Sequence, residues 1–292
     1  MQKIFVIMAV GFVMQAMSTG LARASLILSS NRTIDISALG FNGVGGAAFD
    51  ETTGNLWISD SGPATNAVVE IDPLSVELDI VSAFSASVVP GLTQGPDAMA
   101  LHPVTGNLYL FSSFMKNDRT GQVTQGGTFI PGFDGPENVG GAGFSASGDL
   151  LLMDQGNGTI RKLNPTTGAV QETIPLIGFS NRIGAADFDP LTGNLIAYST
   201  NTRELLEIVP STGQILSTTD VSQFLVLPSF PTGLAFNSSG DLLYLASGQN
   251  AGGDRLEVLN RVIPEPRSSL LVCTAAISLL LMRNRRNIAP TR

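Results

Sequence analysis

A single cysteine and a single histidine stand among the 292 residues of this chain. The cysteine, Cys273, lies in an apolar stretch near the C-terminus. Everything before it therefore forms no intramolecular disulfide and must be held together by its core. The histidine, His102, occupies a position between two apolar runs that Asp50, Asp189 and Asn237 fill in similar stretches, so it reads as a turn residue. One histidine excludes a His-based catalytic triad and a multi-histidine metal centre. No Gly-x-Ser-x-Gly elbow and no phosphate-cradling glycine loop occurs, so nucleophilic and redox enzymes lack their parts. Positive charge is also scarce. Between Ser25 and Val262 nine Lys and Arg face twenty-three Asp and Glu, a net of −14. That sign excludes nucleic acid as a partner, favours solubility and attracts divalent cations.

No run of twenty apolar residues occurs either, yet both ends carry shorter ones. Met1 to Ala24 reads as a secretory signal. Lys3 supplies the positive start, Ile4 to Met14 the apolar run, and Ala22-Arg23-Ala24 the small-x-small site for signal peptidase. The mature chain then begins near Ser25. At the other end Ile263-Pro264-Glu265-Pro266 precedes an apolar stretch from Ser268 to Met282, followed by Arg283, Arg285 and Arg286. This stretch is short for a span, but a basic cluster at its cytoplasmic end stops transfer and lets a short transmembrane helix tilt or thin the bilayer. The order of Pro-Glu-Pro, short apolar helix and terminal basic cluster resembles the PEP-CTERM sorting signal of exopolysaccharide-producing Gram-negative bacteria. The resemblance covers roughly the last thirty residues. It implies an exosortase substrate, with Pro264, Glu265 and Pro266 as the recognition motif and Arg283, Arg285 and Arg286 as the cytoplasmic stop. The protein would be held at the inner membrane until processed, then released or relocated to the cell surface or extracellular matrix. A plain C-terminal anchor is the alternative. Three regions follow: 1–24 signal peptide, 25–262 ectodomain, 263–292 sorting signal.

The ectodomain is built on a repeat. Ile183 to Thr200, IGAADFDPLTGNLIAYST, has relatives beginning at Gly45, Asp97, Gly140 and Thr232. Each joins two apolar runs through a polar turn ending in Gly-Asn or Gly-Asp, which spells a β-hairpin. The turn glycines Gly54, Gly106, Gly148, Gly193 and Gly240 are spaced by 52, 42, 45 and 47 residues, a period of propeller blades. After the hairpin, the third and fourth units supply two more strands each, Thr159 to Asn164 with Ala169 to Pro175, and Glu204 to Val209 with Gln214 to Thr219. In the first, Leu74 to Phe84 reads as the outer strand; the second is the least regular. The fifth stops after Arg255 to Asn260, one strand short, while Leu26 to Leu28 and Thr33 to Ile36 are left over at the start. The deficit and the surplus match, so the prediction is an all-β, five-bladed propeller closed by its N-terminal strand. Six blades stay open if Ser25 to Phe41 and Leu74 to Gln94 build more. Leu56, Leu108, Leu150, Leu195 and Leu242 are expected to fill the packing between blades. The hairpins are similar to those of NHL, YVTN and gluconolactonase-like exported propellers.

Residues just before each inner strand line one mouth of a propeller channel. Here they include Asp97, Glu137, Asn138, Asn181 and Arg182. Carboxylates and amides of this kind can hold calcium through oxygen ligands, as the gluconolactonase-like resemblance also implies, although solvated loop residues have the same composition. Asp187 and Asp189 flank Phe188, and strand alternation points them to one side, a second acidic site. Capping the turn at Asp189-Pro190 is the better use of Asp189. These residues favour a binding or structural module of the envelope or exopolysaccharide matrix, taking a polysaccharide or protein ligand, over an enzyme. The competing expectation is a calcium-dependent lactone or ester hydrolase.

Overall fold

The computed structural model describes residues 26–262 apart from 63–65, 76, 113–119, 137, 157, 226–230 and 249–252. The chain divides into two units, Met1–Arg261 and Val262–Arg292. The signal site at Ala22 and Ala24, the Pro264-Glu265-Pro266 motif, the expected transmembrane helix and the Arg283, Arg285 and Arg286 cluster lie outside the described residues, as does Glu137. Among the described residues no helix is long and apolar enough to cross a membrane.

Among the described residues twenty strands form five four-stranded antiparallel sheets. In chain order they are β1 (Ile27–Asp35), then β2 (Val44–Phe49), β3 (Leu56–Asp60), β4 (Ala67–Asp72) and β5 (Asp79–Ser85) in the first blade. The second holds β6 (Ala98–Leu101), β7 (Leu108–Phe111), β8 (Gly121–Val123) and β9 (Phe129–Ile130); the third β10 (Val139–Phe144), β11 (Leu150–Asp154), β12 (Thr159–Leu163) and β13 (Val170–Pro175). The fourth holds β14 (Ile183–Phe188), β15 (Leu195–Ser199), β16 (Glu204–Ile208) and β17 (Ile215–Asp220). The last combines β18 (Pro231–Phe236), β19 (Leu242–Ser247) and β20 (Arg255–Val262) with β1 as its outer strand, in the order β1-β20-β19-β18. The ring is thus closed by the N-terminal strand, and five blades settle the count. Thr33 Oγ1 donates to Glu257 Oε2 at 2.6 Å, and Ile36 N donates to the Asp254 carbonyl at 3.0 Å across this seam.

Each strand position has its own residue chemistry. The inner strands β2, β6, β10, β14 and β18 touch one another around the axis and are written in Gly and Ala. A Cβ added at Gly46 would stand 2.3 Å from Met99 N, and one at Gly141 would stand 2.1 Å from Ala186 N, so these backbones approach closer than any side chain allows. The second strands are buried on both faces and read as unbroken apolar runs, LWISD, LYLF, LLLMD and LIAYS among them. The outer strands β5 and β13 are largely exposed, and β17 is half-buried. The core is accordingly five apolar seams, one between each pair of neighbouring blades. The seam joining the last blade to the first packs Tyr244, Leu256 and Val258 against Leu56, Ile58 and Val69.

The hairpin turns are held by their first residue. Asp50 Oδ1 accepts from Thr52 N at 2.8 Å, and Gly54, at φ 79°, donates back to the Asp50 carbonyl at 2.8 Å. Asp189 does the same toward Leu191 N at 3.0 Å, with Gly193 at φ 70°. His102 substitutes for the carboxylate, its Nδ1 accepting from Val104 N at 3.1 Å, so the turn reading of the sole histidine holds.

Three details differ from the sequence reading. The N-terminal segment is one strand rather than two pieces, because pairing with β20 carries the polar Asn31-Arg32 through. The outer strand of the first blade begins only at Asp79, after a turn at Asp72. In the last blade Leu243, not Leu242, pairs with Phe236 and is fully buried. The two turns have the same spacing in sequence, but Asn237 N donates to the Leu242 carbonyl where Ser145 N of the third blade donates to that of Asp149, so the last blade takes Leu242 into its turn and leaves it half-buried.

Candidate functional site

The five inner strands end in register. Phe49, Leu101, Phe144, Phe188 and Phe236 each pair with the first buried leucine of the next strand. The residues directly before them are Ala48, Ala100, Gly143, Asp187 and Ala235. Four blades place a methyl or a hydrogen there; the fourth places a carboxylate. Beneath the hairpin turns these strand ends enclose a cavity of about 350 Å³, a size suited to a small ligand.

Asp187 reaches from the fourth blade to the fifth. Its Oδ2 accepts from Phe236 N at 3.0 Å, and its Oδ1 accepts from Phe188 N at 2.8 Å. The third blade is cut to fit it, because a Cβ at Gly143 would lie 2.9 Å from Asp187 Oδ1 and 3.2 Å from Phe188 Cδ2. Two departures from the repeat, in neighbouring blades, are therefore complementary. The residue keeps some surface facing the cavity while its carboxylate lies deep in protein. Loss of hydration pushes its pKa from 3.8 to about 7, against the two backbone N–H groups that favour the ionised form, and the negative charges of Glu51 and Asp189 push the same way.

The cavity walls are apolar, with Phe49, Phe144, Phe188 and Phe236 among them, and its rim carries Asp50, Glu51, His102, Gln125, Asp189 and Asn237. Among the described residues no Lys or Arg lines it. Asp50 is engaged by Gln125 Nε2 at 2.6 Å and by Thr52; these bonds outweigh the upward push of its burial, and its pKa falls. Asp189 is fully buried and accepts from Arg261 Nη1 at 2.6 Å and Thr192 Oγ1 at 2.7 Å. The two aspartates flanking Phe188 thus part company: Asp189 holds a turn, as its sequence context implies, and Asp187 faces the cavity. His102 packs against the Phe144 ring at 4.8 Å between centroids.

Asp97, Asn138, Asn181 and Arg182 lie at the opposite ends of the inner strands, just before β6, β10 and β14. There the Asn138 amide donates to Asp154 Oδ1 at 2.7 Å, and Asp154 also pairs with Arg161. Asn181 Oδ1 accepts a long bond from Asn201 at 3.5 Å. Among the described residues no group of three or more His, Cys, Asp or Glu is placed to hold a metal ion. The cavity was not anticipated at the strand ends. The signal for it is the single acidic residue in a register otherwise filled by Ala and Gly.

No protein-family model matches the sequence, and no curated protein matches it. Solved structures do. The glutaminyl cyclase of Myxococcus xanthus matches with a TM-score of 0.61 at 16% identity, covering 82% of this chain and 98% of that one. A luciferin-regenerating enzyme matches with a TM-score of 0.51 at 13% identity, over 82% and 96% of the two chains. At these identities the likeness shows the propeller fold alone.

Proposed function

We propose that this protein is an exported five-bladed propeller that binds a small ligand, or the end of a larger one, in the cavity beneath its hairpin turns. Its sorting signal would deliver it to the envelope or the extracellular polysaccharide matrix. The observation that carries the binding reading is Asp187, a carboxylate kept in a costly environment that the other four blades avoid, with Gly143 making room for it. A group whose burial is this unfavourable, at the wall of a formed cavity, marks a site by its chemistry. Export and sorting rest on the order of elements at the two ends, which ties a signal peptide to Pro264-Glu265-Pro266 and the terminal arginines.

A screen of amines, acids and sugars for shifts in the melting temperature of the full-length protein in detergent tests the binding reading. A class of compounds that stabilises the protein supports it; no shift from any class removes it. Replacing Pro264, Glu265 and Pro266 by alanine and following the protein by fractionation and mass tests the sorting reading. Unchanged processing and location would leave only a plain anchor.

A second reading has one observation in its favour. A carboxyl that titrates near neutrality is poised for general acid–base work, which suits a lactone or ester hydrolase. The calcium-dependent form would draw on Asp97, Asn138 and Asn181 at the other mouth, and on Glu137, which lies outside the described residues. Calorimetry with millimolar calcium, repeated on Glu137→Gln, tests it; the absence of a binding heat would remove it.

A further inference from the structure

We infer that the ligand of this cavity carries a cationic amine or guanidinium group set against Asp187, with an apolar or aromatic portion against the phenylalanine walls. This rests on the cavity being a binding site and names its chemical class. Among the described residues four acidic ones line the space, Asp50, Glu51, Asp187 and Asp189, and no Lys or Arg does. Two of the four are committed: Asp50 to Gln125 and its own turn, Asp189 to Arg261 and Thr192. Among the described residues Asp187 accepts two backbone N–H bonds, one from the next residue and one from the adjoining blade. These leave the carboxylate's net charge unmatched in a space where burial makes charge expensive. A cation delivered by a ligand supplies what the protein omits. Among the described lining residues an anion would meet four carboxylates and no Lys or Arg. The phenylalanines offer ring faces and edges to an aromatic or aliphatic ligand body, and their π-faces also attract a cation. About 350 Å³ accommodates a phenylethylamine-sized molecule with room for water.

The charge state of Asp187 then governs affinity. Asp187 ionises as pH rises through about 7, while a primary ammonium stays charged across this range. Binding tightens upward in pH. The other groups facing the cavity are the carboxylates of Glu51, Asp50 and Asp189, Arg261 behind Asp189, and His102, whose Nδ1 accepts two backbone N–H bonds. Because these groups share the cavity, substitution of Asp187 isolates its own contribution.

The test titrates the full-length protein in detergent with phenethylammonium and with its neutral analogue 2-phenylethanol, by calorimetry, near pH 8.5 and near pH 5.5. The expected result is that the ammonium binds at least about ten-fold tighter than the alcohol near pH 8.5. Its affinity should fall about 30-fold near pH 5.5, the change in the ionised fraction of a carboxyl titrating at about 7. Asp187→Asn should abolish the preference for the ammonium while still binding the alcohol, which shows that the cavity remains formed. Equal affinities for the two probes, or a preference and pH dependence unchanged in Asp187→Asn, would overturn the cationic assignment and leave the cavity as a site for neutral ligands. Binding of neither probe at about 10 mM would overturn this assignment and count against the small-ligand reading itself.

Discussion

Replacing Asp187 by alanine should make the protein more stable above neutral pH, and the gain should shrink on acidification. In the equivalent position three blades already carry alanine, Ala48, Ala100 and Ala235, so the smaller side chain suits the ring. The folded state raises the carboxyl from 3.8 to about 7. At about 1.4 kcal/mol per unit, the ionised form costs about 4 kcal/mol above the folded pKa. The sign follows from proton binding: between the unfolded and folded values the native state holds the extra proton, so the penalty is full above about 7 and vanishes below about 4. Near pH 5 less than half of it remains. The substitution also strips an acceptor from Phe188 N and Phe236 N, about 1 kcal/mol each where cavity water replaces it poorly. The balance is a gain of about 1–3 kcal/mol near pH 8.5 and nothing, or a small loss, near pH 5. Urea unfolding of the two proteins at both pH values, read by a probe of the propeller, gives the gap directly. A gap that does not change with pH, or a wild type more stable than the variant near pH 8.5, would refute the reasoning.

Other consequences are as specific. Gly143→Ala places a Cβ 2.9 Å from Asp187 Oδ1 and should cost about 1–3 kcal/mol, most of it recovered in the Gly143→Ala, Asp187→Ala double variant; an additive pair would show that the two sites do not touch. Arg261→Met leaves the buried Asp189 carboxylate without its cation and should cost about 3–5 kcal/mol by chemical denaturation, far more than an exposed ion pair. His102→Asp should fold with stability within about 0.5 kcal/mol of wild type, because aspartate holds the same turn at Asp50 and Asp189, whereas His102→Ala loses the acceptor for Val104 N and should cost about 1 kcal/mol.

Much of the fold was legible because it is periodic. The hairpin recurs with its turn chemistry, and a last blade one strand short beside an unpaired N-terminal segment forces closure. What periodicity could not supply was decided by the ring. The Asn31-Arg32 pair breaks a local strand signal, yet β20 offers a full edge and carries the strand through. The slip from Leu242 to Leu243 is set by the hydrogen bond that closes the turn, Asn237 N to the Leu242 carbonyl, and not by the sequence spacing, which matches that of the third blade. The choice of mouth depends on how five backbones converge, a property of no single repeat, so Asp97, Asn138 and Asn181 looked as good as anything beyond the strand ends. Asp187 was visible as an acidic residue inside an apolar run. Its meaning came only when Ala48, Ala100, Gly143 and Ala235 were found beside it in register.

Ligand binding in this cavity turns on the state of the Asp187 carboxyl. A carbon-13 NMR titration of the aspartate carboxyls, with the Asp187 signal assigned by its loss in Asp187→Asn, reads it directly. The predicted result is a midpoint of about 7, well apart from the other aspartates. A midpoint near 4, the ordinary carboxylate range, would mean that Asp187 is well hydrated, and would contradict the claim that this blade holds a buried charge in wait for a ligand.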